Sequence, residues 1–422
     1  MKFIKNRDRF VESNGSEIHI PKVIWDIHIV FAEFGFKLYL VGGSIRDFLS
    51  GQTPKDYDVA TNAKPEDVIK LFTDKFGVRK KNGSDFVLRN GWRINLQGES
   101  FGVVVIYIPG EKEGVEIASF NTRHDGKIIL DATIEDDANR RDITFNSLFY
   151  DLDKKEIIDL VGGVEDLKNK RLRMVGDPSQ RIMEDPLRIQ RLFRFGPRYG
   201  ADMDDKTKDA INNLKHLYRE PSDERPNGVS QERIVEEFMK SFKTLPKFQK
   251  YIDYLDEFGM WKILFPGISF NKSPRFLETD SIEVALAQLL VNERNDVFNS
   301  LMVREWKFPS ILSKTVKLLV DITRLDTEGD SAIDDAINIR MNQLRNNIGD
   351  GLIRKFISLV VINNPLVDKL LKFNPTDINS VDVMDELGME HDNNGRLLNP
   401  KKDGAKLGQE LSRRKVELFK SL

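Results

Sequence analysis

Two aspartates separated by a single residue, Asp56 and Asp58, follow a glycine pair, Gly42 and Gly43. The hydrophobic run Leu38 to Val41 predicts a strand ahead of the glycines, and a second strand is predicted to carry both aspartates. Side chains alternate across a strand, so the two carboxylates share one face and can hold metal ions. A glycine turn can bring backbone N–H groups against a phosphate. The combination predicts nucleotidyl transfer by the two-metal route, in which one ion activates an attacking hydroxyl and the other neutralises the leaving pyrophosphate.

A third acidic residue, Glu116, lies in the predicted strand Val115 to Phe120. The apolar residues on either side of Glu116 face one way and Glu116 faces the other, so a neighbouring strand could bring it beside Asp56 and Asp58. Taken singly, glycine pairs are common turns and acidic residues on strands are usually solvated. The ordered combination of all these residues is what favours a metal site.

The composition limits the kinds of catalytic and metal site that this chain can form. The chain of 422 residues has no cysteine, which excludes disulfides, thiol nucleophiles and Cys-based zinc sites. Its five histidines are scattered without metal-ligand spacing, so metal chemistry must rest on carboxylates, whose oxygen atoms suit Mg²⁺ or Mn²⁺. No apolar run approaches the roughly 18 residues that span a membrane, and the charged N-terminus lacks the apolar core of a secretory signal. These features predict a cytoplasmic enzyme that acts away from membranes.

Basic residues are concentrated in two segments, although the net charge of the chain is only −2. Residues 168–200 carry a net charge of +6 and residues 401–422 a net charge of +4. Such segments favour a localised track for a polyanion, because phosphate contacts supply most of the nonspecific affinity for nucleic acids. For the C-terminal segment, a solvated helix face is the alternative. The candidate nucleic-acid contacts in that segment are Lys401, Lys402, Lys406, Arg413 and Arg414.

The pattern of elements changes near residue 172. Before it, short β-rich runs alternate with helices, whereas beyond it the pattern is almost wholly helical. We predict an α+β head over residues 1–172, a helical neck over 173–244, a helical body over 245–345 and a helical tail over 346–422. The pair Gly196-Pro197 predicts that a helix ends or kinks there. No element is predicted for the polar segment Lys80 to Gly102.

Further motifs follow in a fixed order along the chain. They are Arg140-Arg141-Asp142-Ile143-Thr144-Phe145-Asn146-Ser147, Asp159-Leu160-Val161-Gly162-Gly163-Val164-Glu165-Asp166-Leu167, Arg171-Leu172-Arg173, Glu184-Asp185-Pro186-Leu187-Arg188-Ile189-Gln190-Arg191-Leu192-Phe193-Arg194-Phe195 and Ser230-Gln231-Glu232-Arg233-Ile234. With the glycine and aspartate pairs, they resemble the class II tRNA nucleotidyltransferases, or CCA-adding enzymes, and the related bacterial poly(A) polymerases. The resemblance is strong from Val41 to about Phe238 and weak after it.

The resemblance implies a palm-type nucleotidyltransferase head with a mixed or antiparallel sheet, followed by an all-helical neck, body and tail. It also implies template-independent addition of CCA to tRNA 3′ ends, with CTP and ATP as substrates, two Mg²⁺ ions as cofactors and no evident protein partner. By position, the catalytic carboxylates and metal ligands are Asp56, Asp58 and Glu116. The implied nucleotide-binding residues are Gly42, Gly43, Ser44, Arg46, Arg140, Arg141, Asp142, Asn146, Glu184, Asp185, Arg188 and Arg191. The C-terminal basic residues become the candidates for tRNA binding.

Base selection can also be argued from the chemistry of Asp185 and Arg188, which are three residues apart and are predicted to share one helix face. A carboxylate only accepts hydrogen bonds and a guanidinium only donates them. The pair therefore fits cytosine and adenine, which present an amino donor beside a ring-nitrogen acceptor, and not uracil or guanine, which present a carbonyl beside an N–H. A bidentate contact of this kind contributes roughly 1–3 kcal/mol of discrimination. The alternative is an ordinary surface ion pair.

Other functions fit the same motifs. A poly(A) polymerase, a CC-only enzyme and an A-only enzyme would share them, and a chain that kept the fold without catalysis would only bind RNA. The segment Asp403 to Leu411 resembles the tail of CCA-adding enzymes and favours CCA addition. The loop Asp125 to Lys127 is predicted to act as a lever in the switch from cytidine to adenosine.

Overall fold

The computed structural model describes residues 2–5, 8–11, 19–54, 56–83, 85–111, 113–124, 127–221, 228–242, 248–268, 270–271, 274, 281–293, 297–327, 329–360 and 364–422. These fall into two compact units, Met1–Leu264 and Phe265–Leu422. The finer predicted boundaries at residues 172, 244 and 345 remain predictions, and residue 244 lies outside the described residues. Asp125 and Gly126 of the predicted lever lie outside them as well.

All strands among the described residues belong to the first unit. They are β1 (Lys2–Lys5), β2 (Asp8–Val11), β3 (Leu38–Val41), β4 (Val59–Thr61), β5 (Val78–Asn82), β6 (Asp85–Leu88), β7 (Arg93–Asn95), β8 (Val103–Tyr107), β9 (Val115–Ser119), β10 (Thr122–His124), β11 (Lys127–Ile129), β12 (Leu148–Asp151), β13 (Glu156–Asp159), β14 (Arg171–Leu172) and β15 (Asp202–Met203). Eleven of them form one mixed sheet in the order β2-β1-β13-β12-β3-β4-β9-β8-β7-β6-β5. At its centre β3 pairs antiparallel with β4, and β4 pairs parallel with β9.

The helices of the first unit are α1 (Lys22–Glu33), α2 (Gly43–Leu49), α3 (Pro65–Phe76), α4 (Ile134–Asn139), α5 (Gly163–Lys168), α6 (Pro178–Glu184), α7 (Arg188–Tyr199), α8 (Asp205–Leu214), α9 (Gln231–Ser241), α10 (Phe248–Glu257) and α11 (Trp261–Leu264). Short 3₁₀ turns lie at Glu99–Phe101, Thr144–Asn146 and Lys215–Tyr218. In the described part of the predicted neck, the elements are therefore helical apart from the two-residue strand β15.

The main core lies between the sheet and two helices. Phe31 of α1 and Phe72 of α3 meet edge to face with their ring centroids 6.0 Å apart, and Val59 and Ile117 of the central strands are buried in the same cluster. Residues next to these in the strands, such as Ala60, belong to a smaller cluster on the opposite face. β4 is buried on both of its faces, and its parallel pairing with β9 keeps the two strands side by side.

The predicted strand carrying both aspartates is wrong in its bounds, because β4 begins only at Val59. Asp58 still accepts a backbone hydrogen bond from Val41 N at 3.0 Å. Val41 is the last residue of β3 and Gly42 turns the chain away, so no partner strand continues beside the aspartates. Asp56 and Asp58 therefore lie in the segment that enters β4, at the end of the ladder.

The segment Lys80 to Gly102, which sequence patterns left without an element, contributes to the edge of the main sheet. It contains most of β5 and all of β6 and β7, which extend the sheet outward from β8. Residues of β5 such as Arg79, Lys80 and Lys81 are exposed. A charged strand at the edge shows no alternation of apolar and polar residues, which is why periodicity missed it.

One expectation about the neck helices is wrong. Asp185 and Arg188 do not share a helix, because α6 ends at Glu184 and α7 begins at Arg188. Asp185 is extended (φ −152°, ψ 102°) since Pro186 disfavours the helical conformation in the residue before it. At Gly196-Pro197, where the sequence predicts that a helix ends or kinks, α7 continues to Tyr199 and is capped by Gly200 in the left-handed region, so the helix does not end at the proline.

The second unit is helical throughout its described part. Its elements are α12 (Ile282–Leu289), a π-helical segment (Val297–Glu305), α13 (Ser310–Thr323), α14 (Asp330–Arg345), α15 (Asp350–Val360), α16 (Pro365–Lys372), a 3₁₀ turn (Pro375–Asp377), α17 (Ser380–Glu386) and α18 (Pro400–Ser421). α18 is anchored by Phe419, which is fully buried with its ring centroid 5.7 Å from that of Phe373. No helix in the described part of the chain is both long and apolar enough to cross a membrane.

Candidate active site

The three predicted carboxylates meet at one end of the central strands. The parallel pairing of β4 with β9 places Val59 beside Ile117, so the preceding residues Asp58 and Glu116 are neighbours. Glu116 points away from the core and is exposed, as are Asp56 and Asp58. We call these three residues the carboxylate edge.

None of the three carboxylates at this edge has a hydrogen bond or ion pair with any described side chain or backbone group. They are nevertheless close enough to affect one another. The pKa of Asp58 is raised to about 6, first by desolvation from the surrounding protein and then by the negative charges of Glu116 and Asp56. The arginines Arg141 and Arg46 oppose this rise. The edge is therefore an accessible concentration of negative charge that a cation would stabilise.

The glycine turn lies directly beside the carboxylate edge, since Gly42 follows the residue that pairs with Asp58. Gly42 has φ 68° and ψ −107°, and a Cβ there would lie 3.3 Å from the carbonyl oxygen of Asn146. A side chain is excluded on both grounds. Ser44, two residues on, is buried, and its hydroxyl has no hydrogen-bond partner among the described residues. A buried hydroxyl without a partner is a ready donor to a ligand at this turn.

Arg141 faces the same turn. Its Nε and Nη2 donate to Asp137 at 3.0 and 2.7 Å, and its Nη1 lies 3.7 Å from the position that a Cβ of Gly42 would occupy. Asp137 is 1% exposed and also binds Arg140, with Nη2 at 2.6 Å. Asp137 thus orients Arg141 so that one side of its guanidinium is directed toward the glycine turn.

Arg46 lies in the interior instead of facing solvent. It is 5% exposed, donates from Nε and Nη2 to Asp47 at 3.1 and 3.0 Å, and donates from Nη1 to Asn146. Asn146, which is also buried, donates in turn to Asp142 at 3.2 Å. The side chains of Arg46 and Asn146, both predicted to contact the nucleotide, are thus used in contacts within the protein.

Asp142 is a buried acceptor for two parts of the chain. Arg191 donates to it at 2.6 Å from α7, and the backbone N–H of Ile143 donates at 2.8 Å. Burial alone would raise the pKa of Asp142, but the charge and hydrogen bond of Arg191, with the hydrogen bonds of Asn146 and Ile143, hold that pKa well below its usual range. Arg191 therefore fastens α7 to the head.

The residues predicted to select the base form ion pairs with other partners. Arg188 donates to Glu184 at 2.6 Å and to the carbonyl oxygen of Arg140 at 2.9 Å. Asp185 accepts from Arg233 of α9 at 2.6 Å. Asp185 and Arg188 are within one turn of each other, with Arg188 N donating to Asp185 O at 3.1 Å, but their side chains do not pair.

The predicted tail contacts divide into two groups along α18. Lys401, Lys402 and Lys406, at its start, are exposed and have no ion pair within the described part of the chain. Arg413 binds Glu410 at 2.6 Å and also binds Glu417. Arg414 binds Glu410 at 2.9 Å and also Glu386. Two of the five predicted basic residues are therefore paired with neighbouring acids.

Sequence reasoning missed Asp47 and Asp137, the two buried acids that hold the arginines of the head. Asp137 had a usable signal, because it precedes Arg140 and Arg141 by three and four residues, the spacing of ion pairs on a helix. Asp47 accepts from Arg198 at 3.1 Å and from the hydroxyl of Tyr199. No spacing rule connects residues that are so far apart in sequence.

Comparison with known proteins agrees with this fold. Residues 38–173 match the family described as the poly A polymerase head domain, and residues 200–271 match the probable RNA and SrmB-binding site of polymerase A. The chain is 32% identical over 323 residues to poly(A) polymerase I of Salmonella typhi, covering 74% of this chain and 63% of that protein. It is 32% identical over 309 residues to the CCA-adding enzyme of Bacillus pumilus (strain SAFR-032), covering 70% of this chain and 68% of that protein.

The fold matches the CCA-adding enzyme of Bacillus stearothermophilus, solved in complex with CTP, with a TM-score of 0.63 and 22% identity over 94% of this chain and 96% of that one. The predicted fold class, an α+β head followed by helical segments, is confirmed. The first unit contains a poly(A) polymerase head domain. The chain belongs to the family of bacterial poly(A) polymerases and CCA-adding enzymes, as its motifs predicted. It spans 63% of the length of the Salmonella poly(A) polymerase that it matches.

Proposed function

We propose that this chain is a template-independent RNA nucleotidyltransferase that adds CCA to tRNA 3′ ends from CTP and ATP. The observation that carries the proposal is the carboxylate edge. Its three acids are accessible and have no partner among the described residues, whereas the nearby acids Asp47, Asp137 and Asp142 are buried in ion pairs. Accessible carboxylates beside a glycine turn suit a nucleoside triphosphate with its metal ions.

Different residues of this site would bind the triphosphate and act at the α-phosphate. The turn at Gly42 and Gly43, the hydroxyl of Ser44 and the free side of Arg141 would bind the triphosphate. The carboxylate edge would face the α-phosphate, where the RNA 3′-hydroxyl attacks and pyrophosphate leaves. Arg141 is suited to phosphate because its guanidinium is already fixed in orientation by Asp137.

The carboxylate edge fits divalent cations of the hard, oxygen-seeking kind. No cluster of three or more His, Asp or Glu side chains in the described residues is tight enough to enclose an ion by itself. Mg²⁺ usually takes one or two carboxylates and completes its shell with water and substrate phosphates, so Asp56 and Asp58 would suffice as protein ligands. Two such ions, Mg²⁺ or Mn²⁺, would activate the attacking hydroxyl and neutralise the leaving pyrophosphate. Glu116 is the third acid of the edge and would add a further carboxylate ligand for these ions.

Base selection would rest on Asp185 and Arg188. A carboxylate offers about four acceptor positions, and Asp185 uses two of them, for Arg233 and for the backbone N–H of Leu187 at 3.2 Å. Asp185 can therefore still accept from the amino group of cytosine or adenine. Arg188 would donate to the adjacent ring nitrogen.

Poly(A) synthesis is the second candidate, because relatives that match 74% of this chain are poly(A) polymerases.

The decisive experiment supplies all four nucleotides and a tRNA that lacks its terminal CCA, and then sequences the RNA 3′ ends. We expect addition of C, C and A, followed by arrest.

Other products would identify other members of the family. Long adenosine tails on unstructured RNA would show a poly(A) polymerase, arrest after two cytidines would show a CC-adding enzyme, and addition of one adenosine only to tRNA ending in CC would show an A-adding enzyme. RNA binding in a filter assay without incorporation, with either Mg²⁺ or Mn²⁺, would contradict catalysis and indicate a binding module.

A further inference from the structure

Helix α7 is fastened to the head at two points on one of its sides. Near its start, Arg191 donates to Asp142 at 2.6 Å. Near its end, Arg198 donates to Asp47 at 3.1 Å, and the hydroxyl of Tyr199 donates to Asp47 as well. Seven residues are about two helical turns, so the two points lie on one side of the helix.

The two acceptors are joined to each other inside the head. Asp47 accepts from Arg46, Arg46 donates to Asn146, and Asn146 donates to Asp142 at 3.2 Å. All four of these residues are less than 10% exposed. The hydrogen bonds therefore form a closed circuit from α7 through the head and back, which we call the ionic ring. Its members are Arg46, Asp47, Asp142, Asn146, Arg191, Arg198 and Tyr199.

Aromatic contacts fill the centre of the ionic ring. The guanidinium of Arg46 lies 4.8 Å from the ring centroids of both Phe195 and Tyr199. Those two rings stack at 6.3 Å with an angle of 25° between their planes. Phe195 lies between the two attachment points on α7. A buried cation held by hydrogen bonds on one side and by aromatic faces on the other has little freedom to move.

We propose that the ionic ring is a positioning device for nucleotide selection. Arg46 and Asp47 belong to α2, which begins at the glycine turn, and α7 begins at Arg188. The ionic ring therefore sets the distance between the triphosphate turn and the residue that contacts the base. The inference rests on the proposed function, and it gives Arg46, Asn146 and Asp142 a positioning role within the head.

A fixed distance matters because a nucleotide has a fixed length. When its phosphates are held at the turn, its base reaches Asp185 and Arg188 only if α7 stays in register. Small displacements of positioning groups can cost up to about a hundredfold in rate. A loosened α7 would penalise the correct bases, which depend on the Asp185 and Arg188 contacts, more than the incorrect ones.

The experiment compares two tyrosines that each donate a hydroxyl near α7. Tyr199→Phe removes one donor from the ionic ring and keeps the aromatic ring beside Arg46. Tyr218→Phe is the matched control, because the Tyr218 hydroxyl donates to Gln190 of α7 at 3.3 Å from the neck and takes no part in the ionic ring. For each protein we measure kcat/KM for CTP and for UTP on tRNA lacking CCA.

For Tyr199→Phe we expect the ratio of kcat/KM for CTP to that for UTP to fall about tenfold, as loss of part of a hydrogen bond to a charged group predicts. For Tyr218→Phe we expect the wild-type ratio. A loss of folded protein lowers both rate constants equally and cancels in the ratio, so a merely structural role of Tyr199 would not change it. An unchanged ratio in Tyr199→Phe, or an equal fall in both variants, would overturn the proposal.

A double-mutant cycle gives a second readout. Arg198→Gln weakens the same attachment point, so its effect on the ratio and that of Tyr199→Phe should not add, since both act through Asp47. Additive effects would overturn the proposal. Failure of the proposed function is distinguishable, because it would appear as absence of incorporation by the wild-type protein before any variant is compared.

Discussion

The acids of the carboxylate edge and those of the ionic ring lie in the same head, yet they differ in exposure and in hydrogen bonding. At the edge, Asp56, Asp58 and Glu116 are exposed and have no partner among the described residues. In the ionic ring, Asp47 and Asp142 are buried and each accepts several hydrogen bonds. The difference separates acids that are free to bind a ligand from acids that hold the protein together.

The two regions also shift the pKa of their aspartates in opposite directions. Desolvation and neighbouring negative charges raise the pKa of Asp58 to about 6, whereas hydrogen bonds and the charge of Arg191 outweigh burial and lower the pKa of Asp142. Ionisation of Asp58 is therefore unfavourable to the folded protein, and ionisation of Asp142 is favourable. An arrangement that costs stability without a ligand is typical of functional sites.

The largest expected effect is on catalysis at the edge. Asp56→Ala and Asp58→Ala should each lower nucleotide incorporation by more than about a hundredfold, because loss of a direct metal ligand exceeds the 10–100-fold typical of residues around one. RNA binding measured by filter retention should be unchanged. Activity within tenfold of wild type would contradict the metal assignment. Glu116→Gln should be impaired as well.

The next effect concerns Arg188, which is ion-paired like the ring residues but is proposed to contact the base. Arg188→Ala and Asp185→Ala should erode discrimination against UTP and GTP by about 5- to 150-fold, corresponding to a bidentate contact of roughly 1–3 kcal/mol. Competition between labelled nucleotides measures this directly. If both variants keep the wild-type preference, the two residues serve only as ion-pair partners of Arg233 and Glu184.

Some features of the fold and of the candidate site could be predicted from the sequence alone. The hydrophobic run Leu38 to Val41 predicted the strand β3, and the alternation around Glu116 predicted that this residue would leave the core and approach the aspartates. Local patterns of this kind depend on neighbours within a few residues, which a sequence displays.

Prediction from sequence failed where the contact partner of a residue is far away in the sequence. It also failed where the stereochemistry of proline decides the backbone conformation. The burial of Arg46 was not predicted, because the rings that enclose it, Phe195 and Tyr199, follow it by about 150 residues. The shared helix face of Asp185 and Arg188 failed because Pro186 separates two helices. Spacing selected candidate site residues, and it did not show which of them are ion-paired within the protein.

Helix α18 of the second unit also carries both kinds of charged residue, lysines without an ion pair among the described residues and arginines paired with acids. Replacing Lys401, Lys402 and Lys406 with alanine should weaken tRNA binding and reduce the slope of log affinity against log salt by about 2, since each lost phosphate contact removes somewhat less than one unit. The matched control is Arg413→Ala, whose charge is balanced by Glu410 and should change the slope little. Equal slopes in the two variants would show that ion pairing on α18 does not decide which charges meet RNA.

A still smaller effect is expected on stability as a function of pH. The pKa of Asp58 is about 6 in the folded protein and near 3.8 when unperturbed. Its ionisation therefore destabilises the fold above pH 6, and this cost disappears below about pH 4. Asp58→Asn should melt at a higher temperature than wild type at pH 8 and at the same temperature at pH 4. Asp74→Asn, at an exposed ion pair with Lys70, is the control and should shift melting little at either pH.

The comparison is tested most directly by the free energies of unfolding of Asp58→Asn and Asp137→Asn, measured side by side by denaturant titration at pH 8. Both variants remove one negative charge near Arg141, but only Asp137 is buried in ion pairs. We predict that Asp58→Asn is at least as stable as wild type and that Asp137→Asn loses about 3–5 kcal/mol, the usual cost of leaving a buried partner unpaired. A loss in Asp58→Asn as large as that in Asp137→Asn would contradict the account, because the carboxylate edge would then be part of the scaffold.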